Sequence, residues 1–242
     1  ARRSGAECCK EVSRSAGCRD CGPGTVLDIV RSFATPFQNH DFKWVFLTRL
    51  LFQMGVHTTQ EFLEYYANDV FQGKEYKNVS PTTKVSLLFM PLLVCALISA
   101  VVAGKLSDSW GGQRKVFVRT SGAIMCLTSI CFAFNSSFPV AMVLSGCFGV
   151  GYGCFQAIDY AMLVDVLPNA DETAKDMGVW HVSLVLPQLL ATPVGGALRD
   201  IFQKVGQSSD TNSMLGYSVI FLLSFVYFAL GTCFVDRIRG VR

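Results

Sequence analysis

Charge is scarce in this sequence, and the charged residues that exist lie in clusters. Asp, Glu, Lys and Arg make up 16% of the 242 residues, whereas a soluble domain carries about 25%. Four segments contain none of them: Val85–Gly104, Phe138–Ile158, Met177–Leu198 and Met214–Val235. A fifth, Val116–Phe134, contains only Arg119. Because a bilayer core of ~30 Å needs about 20 helical residues, these absences exclude an ordinary soluble domain and predict five membrane spans.

Motifs for catalysis and metal binding are lacking as well. The sequence has three His and shows no nucleophile–base pair, phosphate-binding loop or metal-ligand cluster of specific spacing. The nearest is a set of four cysteines, Cys8, Cys9, Cys18 and Cys21. Their spacing is poor for a zinc finger, so we interpret them as reduced or lipid-modified, with zinc or an iron–sulfur cluster as the alternative. We expect no enzyme, no metal, no cofactor and no nucleic-acid partner.

We expect no signal peptide before the first span, because residues 1–43 contain no continuous apolar stretch of the required length. We predict a Cys-rich cytoplasmic tail or linker over 1–43 and a transmembrane domain over 44–242. Most Lys and Arg residues fall in alternate loops, and the opposite loops hold only Lys74, Lys77, Lys84, Arg199 and Lys204. The positive-inside rule therefore predicts a multi-pass membrane protein with both termini on the cytoplasmic side.

A sixth span, Trp44–Asn68, is polar along one side. At ~100° per residue its polar side chains fall within an arc of about 120°, and they are Arg49, Gln53, His57, Gln60, Glu61, Glu64 and Asn68. Ionisable groups at membrane depth usually face a cavity or a partner. We therefore predict a cavity-lining helix, with an amphipathic helix lying in the membrane interface as the alternative. With the five apolar spans, this helix gives a predicted all-α membrane protein of six transmembrane helices.

A short sequence repeat indicates how the six helices are organised. Gly104-Lys-Leu-Ser-Asp108 follows the second span, and Gly196-Ala-Leu-Arg-Asp200 closes the fifth. Both read G-x-L-x-D at the same place in successive three-helix units. Two units with an odd number of helices have opposite orientations, a construction used by many secondary transporters. We predict a 3+3 inverted repeat.

The first of these segments belongs to a polar loop, GKLSDSWGGQRK at 104–115. It resembles the signature G-x-x-x-D-x-x-G-x-R-R of the major facilitator superfamily, with Ser109 and Gln113 as departures. Residues 157–200 resemble the tenth and eleventh helices of its sugar-transporter-like members, relatives of the sucrose and glycoside–cation symporters. The resemblance covers about residues 42–242 and matches the C-terminal half of a twelve-helix transporter, so it implies half of a major facilitator fold.

The resemblance also implies a function. We expect half of a secondary-active carrier for a sugar-like solute coupled to a cation, working in lipid by alternating access. Its partner would be a second six-helix half: an N-terminal half, a second copy, or another membrane subunit. The alternative is a non-transporting structural subunit of a larger membrane complex, built on a half-carrier fold.

Candidate residues for solute or ion binding share the polar faces of three spans: Arg49, Gln53, His57, Glu61, Gln156, Asp159, His181 and Gln188. Arg49, His57, Glu61 and Asp159 are the candidates for proton coupling. On span four an arc of about 80° is shared by Gly146, Gly149, Gly153, Gln156 and Tyr160. Close helix packing through its small residues is at least as good an interpretation of this face as a binding role. A gating loop is expected from Gly104, Asp108, Gly111, Arg114 and Lys115, with Asp165 and Lys175 as a possible second latch.

Overall fold

A computed structural model describes residues 37, 40–70, 79–111, 113–166, 173–208 and 215–238. They form six α-helices, followed by a 3₁₀ turn at Val235–Arg237. The helices are α1 (His40–Val70), α2 (Pro81–Ser109), α3 (Arg114–Phe134), α4 (Phe138–Val166), α5 (Thr173–Ser208) and α6 (Leu215–Phe234). The prediction of an all-α fold with six helices is confirmed. The four cysteines of the tail lie outside the described residues.

Five helices, α2 to α6, are long and apolar enough to cross a membrane. The remaining helix, α1, has 31 residues and reaches about 46 Å at 1.5 Å per residue. Its length is therefore ample for a ~30 Å hydrocarbon core, and its polar residues set it apart. Arg49 and Gln53 are almost completely buried among the other helices. This burial supports the interpretation of α1 as a helix inside the bundle.

Most helices are longer than the predicted spans, and two of them show why. The sequence predicts α2 from Val85, and the structure starts it at Pro81. Ser80 caps it, because its hydroxyl accepts a hydrogen bond of 3.2 Å from the backbone N–H of Thr83. Helix α5 continues to Ser208 through Pro187 and Pro193, so part of the predicted loop after it is helical.

The packing of the helices follows a 3+3 inverted repeat. Helix α1 packs against α5 and α6, and α4 packs correspondingly against α2 and α3. Helix α3 packs against α6, its counterpart in the second unit. Exchanging α1–α3 with α4–α6 therefore preserves the main contacts. Because each unit has three helices, the two units run in opposite directions through the bundle.

Close packing of α4 against α2 depends on two glycines. A Cβ at Gly149 would overlap the carbonyl oxygen of Leu92, and one at Gly153 would overlap that of Ala96. These two positions therefore need glycine for helix contact, as the packing interpretation proposed. Around this contact the core is rich in aromatic rings. Phe52 of α1 stacks on Phe155 of α4 with ring centroids 4.3 Å apart.

Candidate functional site

The first feature of the candidate site is a buried ion pair between α1 and α4. The guanidinium of Arg49 donates through Nη1 to the Oδ2 atom of Asp159. The side chains are 0% and 1% exposed. Burying two charges costs several kcal/mol per ion, and only a well-formed pair offsets that cost. The pair joins the first helices of the two repeats, so it couples one repeat to the other.

Two aromatic rings complete the surroundings of Arg49. Its Cζ atom lies 3.6 Å from the ring centroid of Trp180 and 5.2 Å from that of Tyr160. These two rings meet edge to face, with centroids 4.7 Å apart. A cation over an aromatic face gains about 2 kcal/mol or more when both are desolvated. The guanidinium is therefore held by a carboxylate from α4 and by rings from α4 and α5.

Several polar atoms in this cluster have no hydrogen-bond partner among the residues that the structure describes. They are Nε and Nη2 of Arg49, Nε1 of Trp180 and the hydroxyl of Thr48. Each is buried, and leaving a buried donor unpaired costs about 1–3 kcal/mol. Three of the four are N–H donors. The cluster therefore presents spare donors that suit an acceptor such as a hydroxyl, a carbonyl or a water molecule.

A layer of amides lies one helical turn from the ion pair. The Nε2 atom of Gln53 donates to Oε1 of Gln156 over 3.0 Å. Gln156 in turn lies 3.3 Å from the hydroxyl of Tyr152. Together these residues and the ion pair form the polar cluster, defined as Arg49, Gln53, Tyr152, Gln156, Asp159, Tyr160 and Trp180. At 1.5 Å per residue, Arg49 lies ~14 Å from the start of α1, in the half of the bundle that the charge pattern predicts to be cytoplasmic.

Four of the eight predicted binding residues meet in the polar cluster, and four do not. His57 lies one turn beyond Gln53 and is half-buried, and its Nε2 atom has no partner among the described residues. Glu61, His181 and Gln188 are exposed. No hydrogen bond or ion pair joins any of these four to the cluster in the described part of the chain. Their roles stay predictions.

Sequence reasoning missed the aromatic part of the cluster. Trp180 and Tyr152 were not among the predicted residues, and Tyr160 was noted only for its position on the helix face. A usable signal existed for Trp180, because it is the only Trp in the fifth span and immediately precedes His181. A burial pattern alone does not separate such a ring from ordinary core. Its role depends on the cation above it.

The predicted gating loop covers the end of α2 and the start of α3, and its Arg114 contacts α4. Gly111 has φ = 69°, a left-handed conformation that favours glycine. Arg114 donates to the carbonyl oxygen of Ala161 and lies 2.5 Å from the carboxylate of Asp165. The predicted pairing of Asp165 with Lys175 stays a prediction, because the side chain of Lys175 lies outside the description. Asp108 is exposed and forms no ion pair with another described residue.

The other end of the bundle carries a corresponding cluster. Asp69 accepts from Arg199 over 2.7 Å and also from the hydroxyl of Tyr217. Arg199 and Tyr217 themselves are 2.8 Å apart. This cluster joins α1 to α5 and α6, as Arg114 and Asp165 join α3 to α4. In the second G-x-L-x-D segment Arg199 forms the contact, while Asp200 is 67% exposed.

Metal binding finds no support in the described ranges, where no group of three or more His, Cys, Asp or Glu side chains converges. A recess of about 340 Å³ lies between α2, α3 and α4 and is almost entirely apolar. Its lining includes Ser99, Phe117 and Cys154. This recess offers no convergent polar groups, so the polar cluster is the better candidate for binding a polar solute.

Comparison with known proteins gives a family match over residues 39–239, described as Major Facilitator Superfamily. The synaptic vesicular amine transporter of Rattus norvegicus is 25% identical over 126 residues, which is 52% of this chain and 24% of that protein. Solute carrier family 22 member 6 of Danio rerio is 28% identical over 104 residues, 43% of this chain and 18% of that protein. The chromaffin granule amine transporter of Homo sapiens is 25% identical over 149 residues, 62% and 27% respectively.

The chain thus spans about a quarter of the length of these curated relatives. No solved structure matches it. The amine-transporter relatives are named as transporters and not as enzymes. The predicted superfamily is confirmed. The closer relationship to sucrose and glycoside–cation symporters stays a prediction, because the relatives above are named for amines or only as a solute carrier.

Proposed function

We propose, from the premise that this chain belongs to the major facilitator superfamily, that it forms one half of a secondary-active carrier. It works by alternating access with a second six-helix half. The observation that supports this most directly is the buried pair of Arg49 and Asp159 between the two repeats. Ionisable groups at this depth are costly and are retained mainly where they serve a solute or ion pathway. A structural subunit has no evident need for such a pair.

The ion pair supports cation coupling. With Asp159 ionised, the carboxylate holds Arg49 and thereby ties α1 to α4. A proton on that carboxyl would remove its charge and leave Arg49 without its counter-ion. Two discrete arrangements of one packed interface are what an alternating-access carrier needs. Proton binding at Asp159 is therefore our proposed coupling step, with Glu61 and His57 as secondary sites.

The solute we propose is a sugar-like, hydroxylated molecule. The spare donors on Arg49 and Trp180 suit hydroxyl oxygens, and the amides of Gln53 and Gln156 offer both donors and acceptors. The Trp180 ring supplies a flat apolar face for the carbon side of a sugar ring. The resemblance of residues 157–200 to sugar-transporter-like members points the same way. The amine-transporting relatives favour an organic cation as the second candidate.

The need for a second half is supported by the surface. Helix α2 exposes a broad apolar face that includes Met90, Leu93, Leu97 and Val101, while the polar residues Glu61 and Gln188 are also exposed on other helices. A polar side chain facing hydrocarbon is costly. A second membrane unit would cover the polar face and leave the apolar face to lipid.

Two measurements test this proposal on the native protein. The first is the mass of the particle extracted from its own membrane. A particle of two six-helix halves supports a carrier, whereas a single half alone or a large assembly of many different subunits contradicts it. The second is uptake of labelled monosaccharides and disaccharides into proteoliposomes with an imposed pH gradient.

Asp159→Asn should lose pH-driven uptake while exchange of internal for external solute continues. The matched control is Asp236→Asn, which breaks the exposed ion pair with Arg119 at 3.1 Å. That control should transport normally. If uptake is unchanged in Asp159→Asn combined with Glu61→Gln, the assignment of the proton site is wrong.

A further inference from the structure

The surroundings of the Arg49 side chain have the composition of an organic-cation site. One carboxylate, from Asp159, neutralises the charge. Two aromatic faces, those of Trp180 and Tyr160, lie 3.6 and 5.2 Å from its Cζ atom. A carboxylate with aromatic faces is the usual receptor for ammonium groups in proteins. Here the cation that fills it belongs to the chain itself.

The guanidinium fills this site by charge and by contact with the rings rather than by a full set of hydrogen bonds. Arginine has five N–H donors, yet Nε and Nη2 find no partner in the described part of the chain and the side chain is 0% exposed. The interactions that do hold it would be equally available to an ammonium group. The site is therefore not specific for a guanidinium.

A solute has one side from which to reach this site. Asp159 and Trp180 are each 1% exposed, whereas Tyr160 is 45% exposed and Gln156 is half-buried. The Tyr160 ring thus separates the buried charge pair from the open face of α4. Movement of Tyr160, with Arg49 withdrawn, would open the carboxylate and the Trp180 face together.

We propose that Arg49 is a tethered cation that occupies an organic-cation site and excludes amines from it. This rests on the proposed function, because it assigns the polar cluster as the solute site. Arg49 is then a residue that determines specificity. With it in place, the cluster accepts an uncharged hydroxylated solute through the spare N–H donors. Without it, Asp159, Trp180 and Tyr160 bind a small organic cation. A chain similar to amine transporters would in this way select a different solute.

The test uses tetramethylammonium as the probe and tert-butanol as an uncharged control of similar shape. Binding to the purified native protein is measured by calorimetry and by the shift in thermal unfolding. Arg49→Ala should bind tetramethylammonium about tenfold or more tightly than the unchanged protein, as expected for a desolvated cation–π contact with a counter-ion. Tert-butanol should show no such gain.

Two controls show whether the gain comes from the proposed site. Arg119→Ala removes an arginine from an exposed ion pair with Asp236, and it should bind the probe as the unchanged protein does. Adding Trp180→Leu to Arg49→Ala should abolish the gain. Equal binding by the unchanged protein and Arg49→Ala, or a gain that survives Trp180→Leu, overturns the proposal.

Arg49→Ala leaves Asp159 buried without its counter-ion, which destabilises a fold strongly. Recovery of folded variant in tetramethylammonium, but not in tert-butanol, supports the proposal directly. If neither compound gives folded protein, Arg49→Ala combined with Asp159→Asn decides, because it leaves no unpaired buried charge and keeps the Trp180 and Tyr160 faces. This double variant should bind tetramethylammonium more tightly than the unchanged protein through those faces. Equal affinity contradicts the proposal.

Measuring sugar uptake by the unchanged protein shows whether a failure concerns this inference or the proposed function. If the unchanged protein takes up no sugar but Arg49→Ala binds the cation, the sugar assignment is wrong and the cation site is supported. Uptake without any gain in cation binding removes the inference alone.

Discussion

Replacing the two buried charges by leucine, singly and together, is the sharpest test of the role of the ion pair in the fold. Three variants are needed: Arg49→Leu, Asp159→Leu and the double variant. Each single change leaves the other charge buried without its partner. The double change leaves two apolar side chains facing each other between α1 and α4. We expect the double variant to be more stable than either single variant.

The magnitudes follow from the burial of the pair. Because the side chains are 0% and 1% exposed, the relevant class is the buried salt bridge, for which removal of one partner costs about 3–5 kcal/mol. Arg49→Leu also loses the contact with the Trp180 ring, worth about 2 kcal/mol when desolvated. Replacing both partners by apolar residues is often neutral or stabilising by 1–4 kcal/mol. The coupling energy in the cycle should therefore exceed about 3 kcal/mol.

The assay is reversible unfolding in mixed micelles, followed by tryptophan fluorescence and helical circular dichroism. The matched cycle uses Arg119→Leu and Asp236→Leu, whose side chains are each 53% exposed. An exposed pair of this kind is worth about 0.2–1 kcal/mol. Our reasoning is refuted if the buried cycle gives a coupling energy no larger than the exposed one. It is also refuted if the double variant loses the sum of the two single losses.

The remaining predictions concern helix packing and the two ends of the bundle. Gly153→Val should destabilise the fold by about 1–3 kcal/mol through overlap with α2, while Gly104→Ala should be tolerated because open space surrounds its Cβ position; thermal unfolding compares the two. Tyr217→Phe removes one donor to Asp69 and should cost about 1 kcal/mol, measured in the same way, and an unchanged midpoint would contradict it. Arg114→Gln should increase amide hydrogen exchange in the last turn of α4, because Arg114 contacts Ala161 and Asp165 there. Unchanged exchange would show that these contacts do not stabilise that turn.

The fold could be predicted well because its main signal is the absence of charge. Residues 85–104 and 138–158 contain no Asp, Glu, Lys, Arg or His. The low cost of moving these segments from water into lipid is therefore enough to predict that they span the membrane. Helix ends were harder to predict. Helix α5 continues to Ser208 past a basic residue, Lys204, because a helix can extend beyond the hydrocarbon core into water.

The site could be predicted only in part. The polar stripe of α1 placed Arg49 and Gln53 on one face, and the same reasoning placed Gln156 and Asp159 on α4. Periodicity orders residues within one helix but carries no information about how far one helix is shifted along its neighbour. The approach of Trp180 to Arg49 depends on that shift, so the aromatic part of the cluster became visible only in three dimensions.

The clusters at the two ends of the bundle have a mechanical consequence. Arg114 and Asp165 fasten α3 to α4 at one end, and Asp69 fastens α1 to α5 and α6 at the other. Every one of these contacts crosses from one repeat to the other. Contacts at both ends of the bundle restrain the helices of the two repeats from moving apart there. We therefore expect the two ends of this half to stay fastened while the contact of α1 with α4 rearranges between them, so that the larger movement of alternating access lies at the boundary with the second half.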